Sequence, residues 1–340
     1  MKATRFISQW LLALALPVLL LGSSTAAWAQ PGGNASKRAW KFVRQYDPQG
    51  YAILRAYYKA PLEFEFEEIN ISIGSQNDMR RYIDSSSHEL FLNSLNTLVH
   101  EACHGYTHHT AFRQLEKAGI SYEWGQHYSL FYLAKDQQLL VKHTQAFPSA
   151  ELHGSFPDSL ITSRYHTYIY PSAPITTQST GIYGLLDEWH AYYHGTKNAV
   201  LQYPYYRTYA RDDYERWAPY FTGVHGTWLA YPEFKLYILH YLLYAQAHQP
   251  ETFEAIMHNV AFKQVYTQID SLFGKLLTDF QQQKTRTLQD LMMAGVNCGE
   301  DEEFVFLGNM GYGNFRQTFD FLMQALQAPV YQQMEARLKE

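Results

Sequence analysis

Leu95-Asn96-Thr97-Leu98-Val99-His100-Glu101-Ala102-Cys103-His104-Gly105-Tyr106 carries the pattern His-Glu-x-x-His. On an α-helix, His100 and His104 stand one turn apart on one face, so both imidazoles can reach a single metal ion. Glu101 lies about 100° around that helix, on the rim of the same face. There it could hold a metal-bound water and take its proton. Two neutral imidazoles suit zinc and leave coordination positions for a third ligand and a water. Chance would supply roughly 0.04 such matches in a chain of this composition. The residues around the pattern strengthen it. The four before His100 are uncharged, as are Ala102 and Cys103, which suits a buried active-site helix. Ser86-x-x-Glu89 upstream reads as a capping box, placing the helix start near His88. The helix is expected to run to about residue 118, open to interruption at Gly105, with Gly119 closing it.

Working outward, residues 1–29 read as a secretory signal. Lys2 and Arg5 precede an apolar run from Trp10 to Gly22, and Ala27-Trp28-Ala29 fits a small-x-small cleavage site before Gln30. The run is short for a membrane span. Export to the periplasm or the extracellular space is therefore expected, with residues 30–340 as one large domain whose lobes would be 36–175 and 176–340. Cleavage removes two of the 27 basic residues and none of the 32 acidic ones, so the net charge of -5 becomes more negative. That argues against nucleic-acid or anionic-membrane partners. No membrane span is expected after signal cleavage: Leu236 to Tyr244, the longest later candidate, carries His240 and reads as a core helix.

The remaining chain reads as α+β. Helical character at Ala39–Gln45 and Gly50–Tyr58 is split by Asp47-Pro48. Leu62 to Glu67 and Ile69 to Ile73 alternate as strands. Gln126–Ala134 and Gln137–Thr144 suggest a hairpin, and Arg164–Tyr170 another aromatic strand. From Gly181 the pattern turns helical, with Pro250 suited to opening a helix. Gly308–Gly313 reads as a turn. Aromatic residues make up 16% of the chain, 28 of them Tyr; they fill core positions or line a glycan- or peptide-binding groove.

Three candidates for a third ligand can be weighed. His108 continues the stripe of His100 and His104, but eight residues of helix amount to about 12 Å of rise, too far to share one ion. It is expected as an outer or surface residue. The longer metzincin pattern is excluded, because Thr107 and Thr110 stand where its Gly and last His belong. Glu188 lies between Leu186 and Trp189 in an apolar, aromatic segment, where an ionised carboxylate is costly to bury without a cation. Asp187 is the alternative at the same place. Asp187, His190 and His194 share a face and suggest either an outer hydrogen-bonded shell or a second metal site. For an oxyanion donor, Tyr183, Tyr192, His194 and His225 all remain open. Cys103 and Cys298 are either paired or free thiols.

His100-Glu101-x-x-His104, with Glu188 on a separate downstream helix, resembles the gluzincin class of zinc metallopeptidases, to which thermolysin-like enzymes belong. The resemblance covers two short segments. It implies a zincin-like architecture, Zn2+ held by His100, His104 and Glu188, and Glu101 as general base toward a peptide or protein substrate. Thermolysin-like enzymes have an Asp four residues after the ligand Glu, where this chain has Tyr192, and their two helices are closer in sequence. The resulting expectation is an exported zinc-dependent hydrolase, a metallopeptidase. The alternative is a non-catalytic binding protein with a structural or relict zinc and an aromatic binding surface.

Overall fold

Asp47-Pro48 divides the first two helices, α1 (Asn34–Tyr46) and α2 (Pro48–Tyr58). Proline at the first helical position loses no intrahelical hydrogen bond, and the Asp47 carboxylate accepts from the Gly50 amide at 2.9 Å. The computed structural model describes residues 34–66, 69–72, 78–123, 125–171, 176–211 and 213–340. The expected signal segment, Glu67 and Ile73 lie outside the described residues. Strands β1 (Glu63–Phe66) and β2 (Ile69–Ser72) pair antiparallel, as their alternation suggests.

A short 3-10 turn, Met79–Tyr82, leads into α3 (His88–Ala118). Its cap is Ser87, whose hydroxyl accepts from the Leu90 amide at 3.0 Å, and not Ser86. Ser86 is engaged elsewhere: its amide and hydroxyl both donate to Asp84 Oδ1, at 2.8 and 2.6 Å. The helix passes through Gly105 without a break. A side chain there would meet the Tyr57 ring of α2 at 2.3 Å, so glycine serves a close approach of two helices. Gly119, at φ 65°, closes α3 in the left-handed conformation that glycine adopts without steric cost.

Strands β3 (Tyr128–Ala134) and β4 (Gln137–Lys142) form the expected hairpin, with β3 almost wholly buried. The strand expected at Arg164–Tyr170 is instead a single helical turn, α4 (Tyr165–Tyr168). The amides of Thr167 and Tyr168 both donate to the Arg164 carbonyl at 3.0 Å. Tyr165 and Tyr168 are both buried, a spacing of three that fits a helix and not a strand. A further turn, α5 (Thr176–Ser179), precedes α6 (Ile182–Leu201).

The second half continues with α7 (Tyr203–Tyr209), α8 (Ala218–Trp228), α9 (Ala230–His248), α10 (Pro250–Met257) and α11 (Val260–Met293). Pro250 opens α10 as its position suggests. An antiparallel sheet follows, β5 (Cys298–Glu300), β6 (Phe304–Leu307) and β7 (Met310–Gly313). Only Gly308 and Asn309 form the connecting turn, so most of the expected Gly308–Gly313 turn is strand. The chain closes with α12 (Arg316–Ala325) and α13 (Pro329–Lys339).

The result is a mixed helix-and-sheet fold in which helices dominate and the sheets among the described residues are small and antiparallel. Helix α6 is buried along nearly its whole length and packs on α3, α8, α9 and α11. Gly195 permits a close approach to α3: a Cβ there would stand 3.1 Å from the Asn96 carbonyl and 3.2 Å from His100 Cβ. Among the described residues, no helix is long and apolar enough to cross a membrane.

Candidate metal centre

Helices buried on every side are ordinarily apolar, yet α6 buries Asp187, Glu188, His190 and His194. Buried ionisable groups need partners, and here they find them across the α3–α6 contact. His100 and His104 point toward Glu188. Their Nε2 atoms are 3.1 Å apart, and Glu188 Oε2 lies 3.4 Å from His104 Nε2 and 3.7 Å from His100 Nε2. Ligands about 2.1 Å from a tetrahedral ion would be separated by roughly 3.4 Å, so these three atoms are spaced as ligands of one ion would be. Among the described residues Glu188 Oε2 is buried and makes no well-aligned hydrogen bond, whereas Oε1 accepts from Thr177 Oγ1 at 2.8 Å. One carboxylate oxygen is thus satisfied and the other is left facing the two imidazoles. His100, His104 and Glu188 could hold a metal ion.

Asp187, the neighbour of Glu188, supports this cluster and does not enter it. Its Oδ2 accepts from His104 Nδ1 at 2.7 Å and from His108 Nε2 at 3.2 Å. His108 is about half exposed and meets the cluster through Asp187, which makes it the outer residue its helical position suggests. The residue just before Glu188 thus holds the His104 ring by its Nδ1.

The protonation pattern follows from this crowding. Burial, and then the charge of His104, push His100 down to about 3, so its imidazole is neutral. Burial also works against a charged His104, but the carboxylates of Glu188 and Asp187 outweigh it and hold His104 well above its usual range. Burial raises the two carboxyls in turn, and His104 overrides it, leaving Asp187 and Glu188 below their ordinary values. In the metal-free protein a proton on His104 therefore occupies the charge that a cation would supply.

Glu101 is half-buried beside the cluster, within range of the charges of His104 and Glu188, and hydrogen-bonded to Tyr82. Burial raises its carboxyl above the usual value. His100 and His104 are 14% and 21% exposed at their side chains, so water has access to the cluster.

Of the four open candidates for a donor, Tyr192 alone is at the cluster. Its ring meets that of His100 edge-on at 4.5 Å between centroids, its hydroxyl is 3.4 Å from that of Tyr168, and the Arg164 guanidinium lies 4.6 Å over its face. Arg164 is itself paired with buried Glu233 at 2.6 Å. Tyr183 instead stacks on His143, and its hydroxyl accepts from the Thr144 amide at 2.9 Å. His194 turns to the Tyr132 carbonyl, and His225 lies among Phe221, Trp228 and Phe280. Neither is part of the cluster.

Sequence reasoning missed Tyr82, Thr177 and Tyr168, none of which lies in a recognisable pattern. Cys103 and Cys298 are free thiols, so the pairing entertained from sequence does not occur. A surface cavity of about 570 Å3 also borders α3, at Tyr106, Thr110 and Arg113, and includes none of the clustered groups. No family model matches this chain, and no curated protein or solved structure matches it.

Proposed function

We propose that the protein is an exported zinc-dependent hydrolase of zincin-like architecture, a metallopeptidase whose zinc is held by His100, His104 and Glu188. The observation that carries this reading is the convergence of two Nε2 atoms and an otherwise unpartnered buried carboxylate oxygen at metal-ligand spacing. A zinc ion bound there supplies Lewis-acid polarisation of a substrate carbonyl and acidifies water. Glu101 acts as the general base: it takes the proton from the attacking water and passes it to the leaving amine. Its raised affinity for protons, caused by burial, suits that exchange. Tyr192, braced by Arg164 and Tyr168, donates its hydroxyl to the oxyanion that develops as the carbonyl is attacked. Asp187 holds the His104 ring so that Nε2 faces the cluster.

The alternative, a binding protein with a closed structural zinc, fits the geometry less well. Structural sites are usually four-coordinate and shut off from water, whereas three protein groups converge here and both imidazoles are partly exposed. The experiment is to load the purified chain with zinc, digest a mixture of unstructured peptides, and identify new termini by mass spectrometry. Cleavage that stops on chelation and returns with zinc supports the reading. Intact peptides with a fully loaded protein would overturn it.

A further inference from the structure

A second set of ligand-type side chains converges on the same pair of helices and is not used by the first. Cys103 of α3 and His190 and His194 of α6 are each 0% exposed, and their ligand atoms lie within 4.8 Å of one another. His190 and His194 stand one turn apart on one face, the relation that also brings His100 and His104 together. Both aim Nε2 at a single backbone carbonyl, that of Tyr132 in β3, at 2.9 and 2.7 Å. Cys103 Sγ is 3.2 Å from His190 Nδ1 and 4.0 Å from His190 Nε2. His194 Nδ1 is buried with no partner among the described residues. A hydrogen-bonded cluster that leaves one of its few polar atoms unpaired in the core is costly to keep.

We infer that Cys103, His190 and His194 form a second metal site, built for a zinc-class ion held by one thiolate and two imidazoles, with the Tyr132 carbonyl of β3 beside them. The donor chemistry selects the ion: a soft sulfur with two imidazoles suits zinc and disfavours magnesium or calcium. The burial selects the role. With no exposed member, the site is closed to substrate and acts structurally, tying α3, α6 and β3 together behind the first cluster. Binding forms the sulfur–metal bond and releases the Cys103 proton to solvent. Asp187 lies between the two sets: it hydrogen-bonds His104 through Oδ2, its charge is felt at both Cys103 and His190, and its Oδ1 is buried without a partner.

This inference stands apart from the hydrolase reading, and cobalt as the probe keeps the two separable. A thiolate-to-cobalt charge-transfer band in the near ultraviolet requires a sulfur ligand, and the cluster of His100, His104 and Glu188 contains none. The full chain loaded with Co2+ is expected to show the band, and Cys298→Ser to retain it. Cys103→Ser is expected to lose the band together with one bound ion per chain. The double variant His100→Ala/His104→Ala should lose a different ion and keep the band. Absence of the band in the cobalt-loaded wild-type chain, a measurement that needs no variant, overturns the proposal, as does an unchanged metal content in folded Cys103→Ser.

Discussion

Asp187 Oδ2 accepts from His104 Nδ1 at 2.7 Å, so the residue preceding Glu188 orients the ring whose other nitrogen faces the Glu188 carboxylate. Two consecutive acidic residues thereby act on one imidazole from both sides. Asp187→Asn keeps the shape and removes the charge, and it should weaken zinc binding by about 10–100-fold while the chain stays folded. Competition with a chelator of known affinity measures this. An unchanged affinity would show that His104 needs no such support.

Under the proposed mechanism, replacing Glu101 separates binding from turnover. Glu101→Gln should retain zinc and lower kcat by about 10²–10⁴-fold. Because burial raises its carboxyl, wild-type activity should fall on the acid side as pH drops through a value above the ordinary 4.5 of a glutamate. Undiminished hydrolysis by Glu101→Gln would remove it from the mechanism.

Tyr192 sits against His100 with its hydroxyl near that of Tyr168. In the proposed role of oxyanion donor it would act in the transition state, so Tyr192→Phe should reduce kcat by roughly 10²–10³-fold with little change in KM or zinc content. A rise in KM alone would reassign it to substrate binding.

The buried neutral histidines make the fold sensitive to acid. Burial pushes His100, His143 and His225 down to about 3 and His190 and His240 to about 4. Below the unfolded value of 6.5 the unfolded chain takes up protons that the folded chain refuses, so stability falls as pH falls from 6.5 toward those values. Asp187 and Glu188 act in the same direction lower down, where their depressed carboxyls lose the stability they contribute above 3.8 and 4.5. His104 opposes the trend, since its raised affinity stabilises the metal-free fold below 6.5 and loses that effect at higher pH. In the window just below 6.5 these five depressed histidines outnumber His104. The Tm of the metal-free protein should therefore decline steadily as pH is lowered through 6.5, and a constant Tm there would contradict the burial argument.

Gly105 tests the packing beneath the site. An alanine Cβ would fall 2.3 Å from the Tyr57 ring, so either α2 or the ring must shift. Gly105→Ala should cost about 1–3 kcal/mol of stability and loosen zinc binding, because His104 is the preceding residue. Denaturant unfolding checks the first part and metal titration the second; a neutral substitution would mean that α2 yields freely.

The central helix was readable because its signals are local. The spacing of His100 and His104 and the glycine at 119 lie in a few consecutive residues, and the cap was misplaced only because Asp84 competes for Ser86. Glu188 was reachable through an energetic argument, a charge stranded between Leu186 and Trp189. Other features depend on contacts across the chain. Arg164–Tyr170 reads as a strand from its aromatic content, and only the burial of Tyr165 and Tyr168 together fixes it as a turn of helix. The strand at Met310–Gly313 is masked in the sequence by Gly311 and Gly313. Thr177, Tyr168 and Tyr82 reach the site from three separate segments, so no spacing rule could have joined them to His100.

The most direct test is anomalous diffraction at the zinc edge from crystals of the full chain grown with zinc. The account predicts a peak bounded by His100 Nε2, His104 Nε2 and Glu188 Oε2, with water on its open side and Glu101 within reach of that water. No peak among those three atoms, or an ion there closed off by a fourth protein ligand, would contradict it.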